Sequence, residues 1–184
     1  MRSHSFVAFL IILTVAVRAV AQAPNAPAAK ASPEMGRLAK MFVGDCDTVE
    51  TMERSEFLPN GGGRHGTTHW KLGFSRTTLI GQGRSNRSAG ELTYLVAIWW
   101  DKPASVYCFC TCSNDVNVPG TVRAAARWDG DRFINDYEET VDGEKRKFHD
   151  IFTETSPNSR SLVAAIEMND GKLKPLITTK STRH

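Results

Sequence analysis

The chain has 184 residues, 41% of them hydrophobic and 23% charged, with a formal net charge of +3. That length supports one domain with a sizeable core. Basic and acidic residues nearly balance, 23 against 20, and no basic run of five or more occurs, so neither nucleic acid nor an anionic membrane surface is an expected partner.

Residues 1–21 carry the three parts of a secretory signal. Arg2 and His4 give a polar start, Phe6 to Val17 form an apolar run, and Ala19-Val20-Ala21 supplies the small-x-small pattern for cleavage before Gln22. Ala21-Gln22-Ala23 also fits, but it places Pro24 just after the cut. The run is too short to cross about 30 Å of hydrocarbon as a helix, and Arg18 closes it. The expected mature protein is secreted or periplasmic, with no stable membrane insertion after signal cleavage. No cysteine follows the run, so no lipid anchor is indicated. Residues 22–32 are rich in Ala and Pro and read as a flexible linker.

The folded domain is expected over 33–184. Ser32 can cap a short helix, with Pro33 at its first position and Glu34 in its first turn. Met35, Leu38, Met41 and Phe42 share one face, and Gly44 ends the element. From Asp45 the chain becomes a series of short segments separated by turn signals. Strands are predicted at about 45–57, 66–74, 76–84, 91–100, 105–113, 120–128, 131–141, 145–155, 160–168 and 173–182. Asp129-Gly130, Asp142-Gly143 and Asp170-Gly171 mark hairpins. About ten strands in succession, with no helix between them, argue for an all-β antiparallel up-and-down meander. Closing it into a barrel removes the exposed edges.

Alternation within strands gives the inside. Val122, Ala124, Ala126 and Trp128 form one candidate core face, and Leu162, Ala164, Ile166 and Met168 another. Phe148 and Phe152 share a face with Asp150 between them. Phe133, Asn135, Tyr137, Glu139 and Val141 make a less regular face. If it points inward, polar groups enter the lumen and must find partners there; if Ile134 points inward instead, Glu139 faces solvent. Trp128, Asn135, Tyr137, Glu139 and Phe152 are the candidate lumen residues for a small, largely apolar ligand.

The chain resembles a family of uncharacterised, mostly secreted bacterial proteins with a calycin-like (lipocalin-like) barrel. The residues that carry the resemblance are the helix Met35-Gly36-Arg37-Leu38-Ala39-Lys40-Met41-Phe42-Val43-Gly44, the strand and turn Trp99-Trp100-Asp101-Lys102-Pro103, and Phe148-His149-Asp150-Ile151. The resemblance implies a barrel of about ten strands with a helix closing one end, and it brings no established activity. Such barrels usually open their first strand with Gly-x-Trp, whose indole plugs the closed end. Here the match is Gly44-Asp45-Cys46, without the plug. Many members carry a cationic residue at the position of His149.

Four cysteines in an exported chain are disulfide candidates. On a strand, Cys108, Cys110 and Cys112 share one face with neighbouring Cα atoms about 6.5–7 Å apart, at or beyond the usual disulfide reach of about 4.4–6.8 Å. A bond from Cys46 to one of the three is the easier proposal. It would cross-link the first and fifth strands and, for a loop of that length, contribute about 4 kcal/mol in the entropy model. The remaining thiols then read as buried apolar side chains, as a redox pair, or as ligands of a metal that three positions along a straight strand cannot surround.

Among the histidines, His65 and His69 lie in a predicted loop and strand, not on a helix, and make no metalloprotease pair. His149 is the remaining candidate for a metal or haem iron, as in nitrobindin-like barrels; its alternation with Phe148 and Phe152 points it to solvent. Gly81-Gln82-Gly83 has no following helix and so no phosphate-binding meaning. No nucleophile elbow, phosphate loop, dinucleotide fingerprint or clear carboxylate pair occurs. No catalytic residue and no cofactor is therefore assigned, and the sequence sets no oligomeric state. The expected protein is a non-enzymatic barrel that binds a small apolar ligand or serves as an envelope interaction module. The alternatives are a thiol–disulfide protein using Cys108, Cys110 and Cys112, and a haem or metal binder using His149.

Overall fold

The computed structural model describes residues 30–56, 58–87, 90–114, 121–141 and 143–184, with the side chains of 87 and 121–124 outside the description. The signal of residues 1–21, the linker up to residue 29, Asp142 of one hairpin, and the inward reading of Val122 and Ala124 lie outside these residues.

Helix α1 spans Pro33–Phe42. It begins where the sequence predicts, with Ser32 Oγ accepting from the Met35 backbone N–H at 3.3 Å, so the cap satisfies one of the orphan donors of the first turn. Its buried face is Met35, Leu38, Met41 and Phe42.

Ten strands follow: β1 Gly44–Met52, β2 Gly62–Gly73, β3 Thr78–Arg87, β4 Gly90–Asp101, β5 Val106–Ser113, β6 Thr121–Asp129, β7 Arg132–Val141, β8 Glu144–Ser156, β9 Ser159–Glu167 and β10 Leu173–Arg183. Each pairs antiparallel with its sequence neighbours, and β1 pairs with β10 from Cys46↔Arg183 to Met52↔Ile177, closing the barrel. Closure leaves neither terminal strand, β1 or β10, as a free edge. Pro175, which has no N–H to give a ladder, sits at a bulge between β9 and β10.

One wall is loose. The β5–β6 register shifts at Tyr107/Cys108, where Ala125 takes a φ of 105°. On its other side β6 pairs with β7 only over Arg127↔Ile134, Trp128↔Phe133 and Asp129↔Arg132. The next positions in line, Ala126 with Asn135 and Ala125 with Asp136, do not continue the ladder.

Helix α1 closes the end at which β1 begins. Phe42 is fully buried there, its ring centroid 4.9 Å from Trp70 and 5.2 Å from Phe152. Phe133, also fully buried, lies 5.2 Å from both Tyr107 and Trp128. Such pairs add about 0.5–1.5 kcal/mol each beyond area burial. Trp70 of β2 and Phe42 of the helix thus fill the closed end, where Cys46 offers no aromatic ring.

Two arginines complete the floor. Arg160 of β9 is buried and donates to the Met41 and Phe42 carbonyls at 3.3 Å, with its guanidinium carbon 5.1 Å from the Phe42 ring and 5.8 Å from the Trp70 ring. Arg183 donates to the Lys40 and Met41 carbonyls at 3.2 and 2.8 Å. The orphan carbonyls of the last turn therefore face two cations, the sign that the helix dipole favours there.

Candidate functional site

Above this floor lies a lumen cavity of ≈ 230 Å³. Its lining is mostly polar on one side and mixed on the rest. On one side β10, β1 and β2 are contiguous and present Thr179, Ser181, Thr48, Thr68, Glu50 and Arg64. The remaining strands are mixed: β4, β5, β8 and β9 bring Val96, Phe109, Phe152, Leu162 and Ala164, and with them the polar Tyr94, Thr111, Asp150, Arg160 and Ser161.

The polar side is deeply buried: Thr48 is 3% exposed, Thr68 6% and Glu50 7%. Glu50 and Arg64, opposite one another in the β1–β2 register, form an ion pair. Tyr94 stands beside them. Burial, reinforced by the negative charge of Glu50, pushes its phenol up to about 12, so it is a neutral O–H donor. Among the described residues, the Thr48 and Thr68 hydroxyls and the Trp70 Nε1–H find no hydrogen-bond partner. Unpaired polar atoms buried this deeply are uncommon and costly.

Gly81 and Gly83 acquire a role here. A Cβ at Gly81 would stand 2.6 Å from the Trp70 ring, and one at Gly83 would stand 2.2 Å from the Tyr94 ring. The two glycines leave β3 flat on its inner face so that both aromatic rings can lie against it.

The predicted lumen residues divide. Phe152 lines the cavity. Asn135 is fully buried and donates through Nδ2 to Asp150 Oδ2 at 3.3 Å. Tyr137 donates to Asp150 Oδ1 at 3.4 Å and stacks on Phe148. Both hold Asp150, which lines the cavity. Glu139 shares their face by alternation, so the polar face of β7 is the inner one. Trp128 does not line the lumen. It sits at floor level with Arg37 stacked 3.8 Å above its ring and its Nε1–H donating to Tyr107 Oη at 3.1 Å. It lines a separate cleft of ≈ 720 Å³ with Trp100, Tyr107 and Ala125, beside the loose β6 wall.

The cysteine expectations need correction. All four thiols are free. Cys46 is 1% exposed and points into the barrel. On β5 the inner face is taken by Tyr107, Phe109 and Thr111, which line the two cavities, so Cys108, Cys110 and Cys112 point outward opposite Trp99, Ala97 and Leu95. Cys46 and the trio thus lie on opposite faces of the wall and on strands far apart around the barrel, and a bond between them would need a side chain to pass through the sheet. Burial and then the Asp101 carboxylate push the Cys108 thiol up, which disfavours the reactive thiolate.

His149 also faces outward. Its Nδ1 lies 2.7 Å from Asp136 Oδ1 and its Nε2 3.5 Å from Glu167 Oε2, so it cannot present a nitrogen to a group held in the lumen. Partial burial pushes the Asp136 carboxyl up, but hydrogen bonds from Arg127 and His149 outweigh this and hold it below the ordinary carboxylate range.

Sequence reasoning missed Thr48, Glu50, Arg64, Thr68, Tyr94 and Arg160. The signal was present in part: Cys46, Thr48 and Glu50 alternate on β1. Starting the second strand at 66 left Arg64 in a loop, whereas β2 begins at Gly62 and places Arg64 on the face of Thr68 and Trp70.

No family model matches the sequence, and no curated protein matches it. Solved structures do. The crystal structure of Rv2717c from M. tuberculosis superposes with a TM-score of 0.59 at 8% identity, covering 84% of this chain and 99% of that one. A redesigned β-barrel, mFAP0, bound to DFHBI, matches with a TM-score of 0.42 at 15% identity over 78% of this chain and 99% of its own. A de novo designed fluorescence-activating β-barrel matches with a TM-score of 0.43 at 14% identity over 80% and 98%. The first of these shares the fold; identities this low speak to fold alone.

Proposed function

We propose that this protein is an exported barrel, secreted or periplasmic, that binds one small molecule in its lumen and acts as a binding protein, not an enzyme. The observation that carries the reading is the ≈ 230 Å³ lumen, lined by buried polar atoms without partners among the described residues. The secretory pattern of residues 1–21 supports export. The calycin-like resemblance of the sequence agrees with a carrier or envelope module. Below the usual ≈ 300–1,000 Å³ of drug-sized sites, the cavity suits a small metabolite with an apolar body turned toward Phe109, Phe152 and Leu162.

The test is native mass spectrometry of protein purified from its own host, wild type beside Ala164→Phe, which fills the lumen. The wild type should carry a non-covalent adduct of small mass that the folded variant lacks. An adduct retained in full by Ala164→Phe, or bare protein in both, would count against the reading. N-terminal sequencing of the exported protein should begin at Gln22.

A further inference from the structure

We infer that the lumen ligand is an uncharged, hydroxylated molecule, held with its hydroxyl edge against Thr48, Thr68 and Trp70 and its carbon face against Val96, Phe109, Phe152 and Leu162. This rests on the lumen being a binding site and names what that site selects.

Charge comes first. The charged side chains lining the cavity are Glu50, Arg64, Asp150 and Arg160, two of each sign. Glu50 and Arg64 neutralise each other. Asp150 is held by Asn135 and Tyr137. Arg160 is committed to the carbonyls that end α1. Tyr94 adds no charge, because its phenol stays protonated up to about 12. The lining charges sum to zero and each is already engaged, so an ionic ligand would meet no net counter-charge and would have to displace an existing contact to offset a desolvation cost of several kcal/mol.

Hydrogen bonding comes second. Thr48 Oγ1, Thr68 Oγ1 and Trp70 Nε1 are unpartnered among the described residues. They sit on two paired strands, with Cys46 opposite Thr68 and Gly44 opposite Trp70. A threonine hydroxyl both donates and accepts, and an indole N–H only donates. The complementary group must accept from the indole and exchange in both directions with the hydroxyls. An alcohol or phenol does this without charge. A hydrocarbon would leave all three atoms unpaired, and a site with buried polar atoms discriminates strongly against a partner that lacks the matching group.

Size and shape come third. A volume of ≈ 230 Å³ equals that of about eight waters, room for a single six-membered ring with its substituents. The side chains of Val96, Phe109, Phe152 and Leu162 offer such a ring a carbon surface.

The experiment titrates three probes of similar size, resorcinol, benzoate and toluene, into wild type and into Thr48→Val/Thr68→Val, followed by calorimetry. Valine keeps the shape of threonine and removes the hydroxyl. Resorcinol should bind the wild type at least tenfold more tightly than either competitor. It should weaken about tenfold for each hydroxyl removed, while toluene binds the double variant as well as or better than the wild type. A wild type that prefers benzoate or toluene would overturn the ligand class and leave the lumen as a binding site. If none of the three binds and the host-purified protein carries no adduct, both readings fall together. If none binds but an adduct is present, its charge and hydroxyl content decide the class directly: an ionic or hydroxyl-free adduct overturns it.

Discussion

The closed end and the lumen wall above it are built from the same kinds of residues and treated in opposite ways. At the closed end each charge has a destination: Arg160 and Arg183 sit on the last carbonyls of α1, and Phe42, Trp70, Phe133 and Phe152 pack ring to ring. On the adjoining wall, Thr48 and Thr68 are also buried, and their hydroxyls meet no partner among the described residues. In the floor the unpaired atoms among the described residues are single N–H groups of side chains otherwise engaged, Trp70 Nε1 and Arg183 Nε; on the wall two whole hydroxyl groups lack partners, which points to a wall shaped for something other than stability. The floor holds the fold together, and the wall above it is kept available.

The largest expected effect lies in the floor. Phe42→Ala removes a fully buried ring that touches three other aromatics and should cost about 4 kcal/mol, read as a lowered urea midpoint. A loss below about 1 kcal/mol would mean that the helix does not anchor the barrel.

Next comes the ion pair at the lumen wall. Arg64→Met leaves Glu50 buried without its partner and should cost about 3 kcal/mol, while Glu50→Gln/Arg64→Met should recover most of that loss. Equal destabilisation in single and double variants would show that the pair supports packing and not charge balance.

Gly83→Ala is expected to cost about 2 kcal/mol, because the new methyl collides with Tyr94 and drives the phenol into the lumen. Its sharper signature is a loss of ligand binding out of proportion to the loss of stability. Unchanged stability would mean that Tyr94 does not lie over β3.

The smallest effect is on the outside of the barrel. The Asp136 carboxyl is held below its unfolded value. Its contribution is therefore present above about pH 4 and is lost as pH falls through the folded pKa. With the side chain one-third exposed (33%), the contribution should be well under about 1 kcal/mol. Asp136→Asn should flatten the acid limb of the stability profile below about pH 4 and leave the neutral region nearly unchanged.

The barrel was legible in the sequence because turn chemistry and alternation are local. All ten strands occur in the predicted order, with β1 ending at Met52 and β2 beginning at Gly62 as the main shifts in bounds, and the cap at Ser32 follows from a Ser-Pro-Glu run. The site was legible only in part. Alternation shows which residues share a face but not which face is inner. On β5 both faces are apolar, Cys108, Cys110 and Cys112 against Tyr107 and Phe109, and the larger aromatic side won the interior. On β7 the reverse held: the polar face, Asn135 and Tyr137, turns inward because Asp150 waits there to accept their hydrogen bonds. The bulge at Ala125 and the left-handed turn at Phe74, Ser75 and Arg76 involve no glycine, so no residue type announced them. Trp128 read as a lumen residue because it alternates correctly, but its place at the end of β6 puts it under Arg37.

The central claim is that the lumen hydroxyls serve a ligand and not the fold. The direct measurement is the melting temperature of ligand-free Thr48→Val and Thr68→Val against wild type. Replacing an unpartnered buried hydroxyl with a methyl removes an unsatisfied polar atom, so each variant should melt higher, by about 2–5 °C. Variants that melt lower by a similar margin would show that the hydroxyls stabilise the barrel itself, contradicting the division between floor and wall.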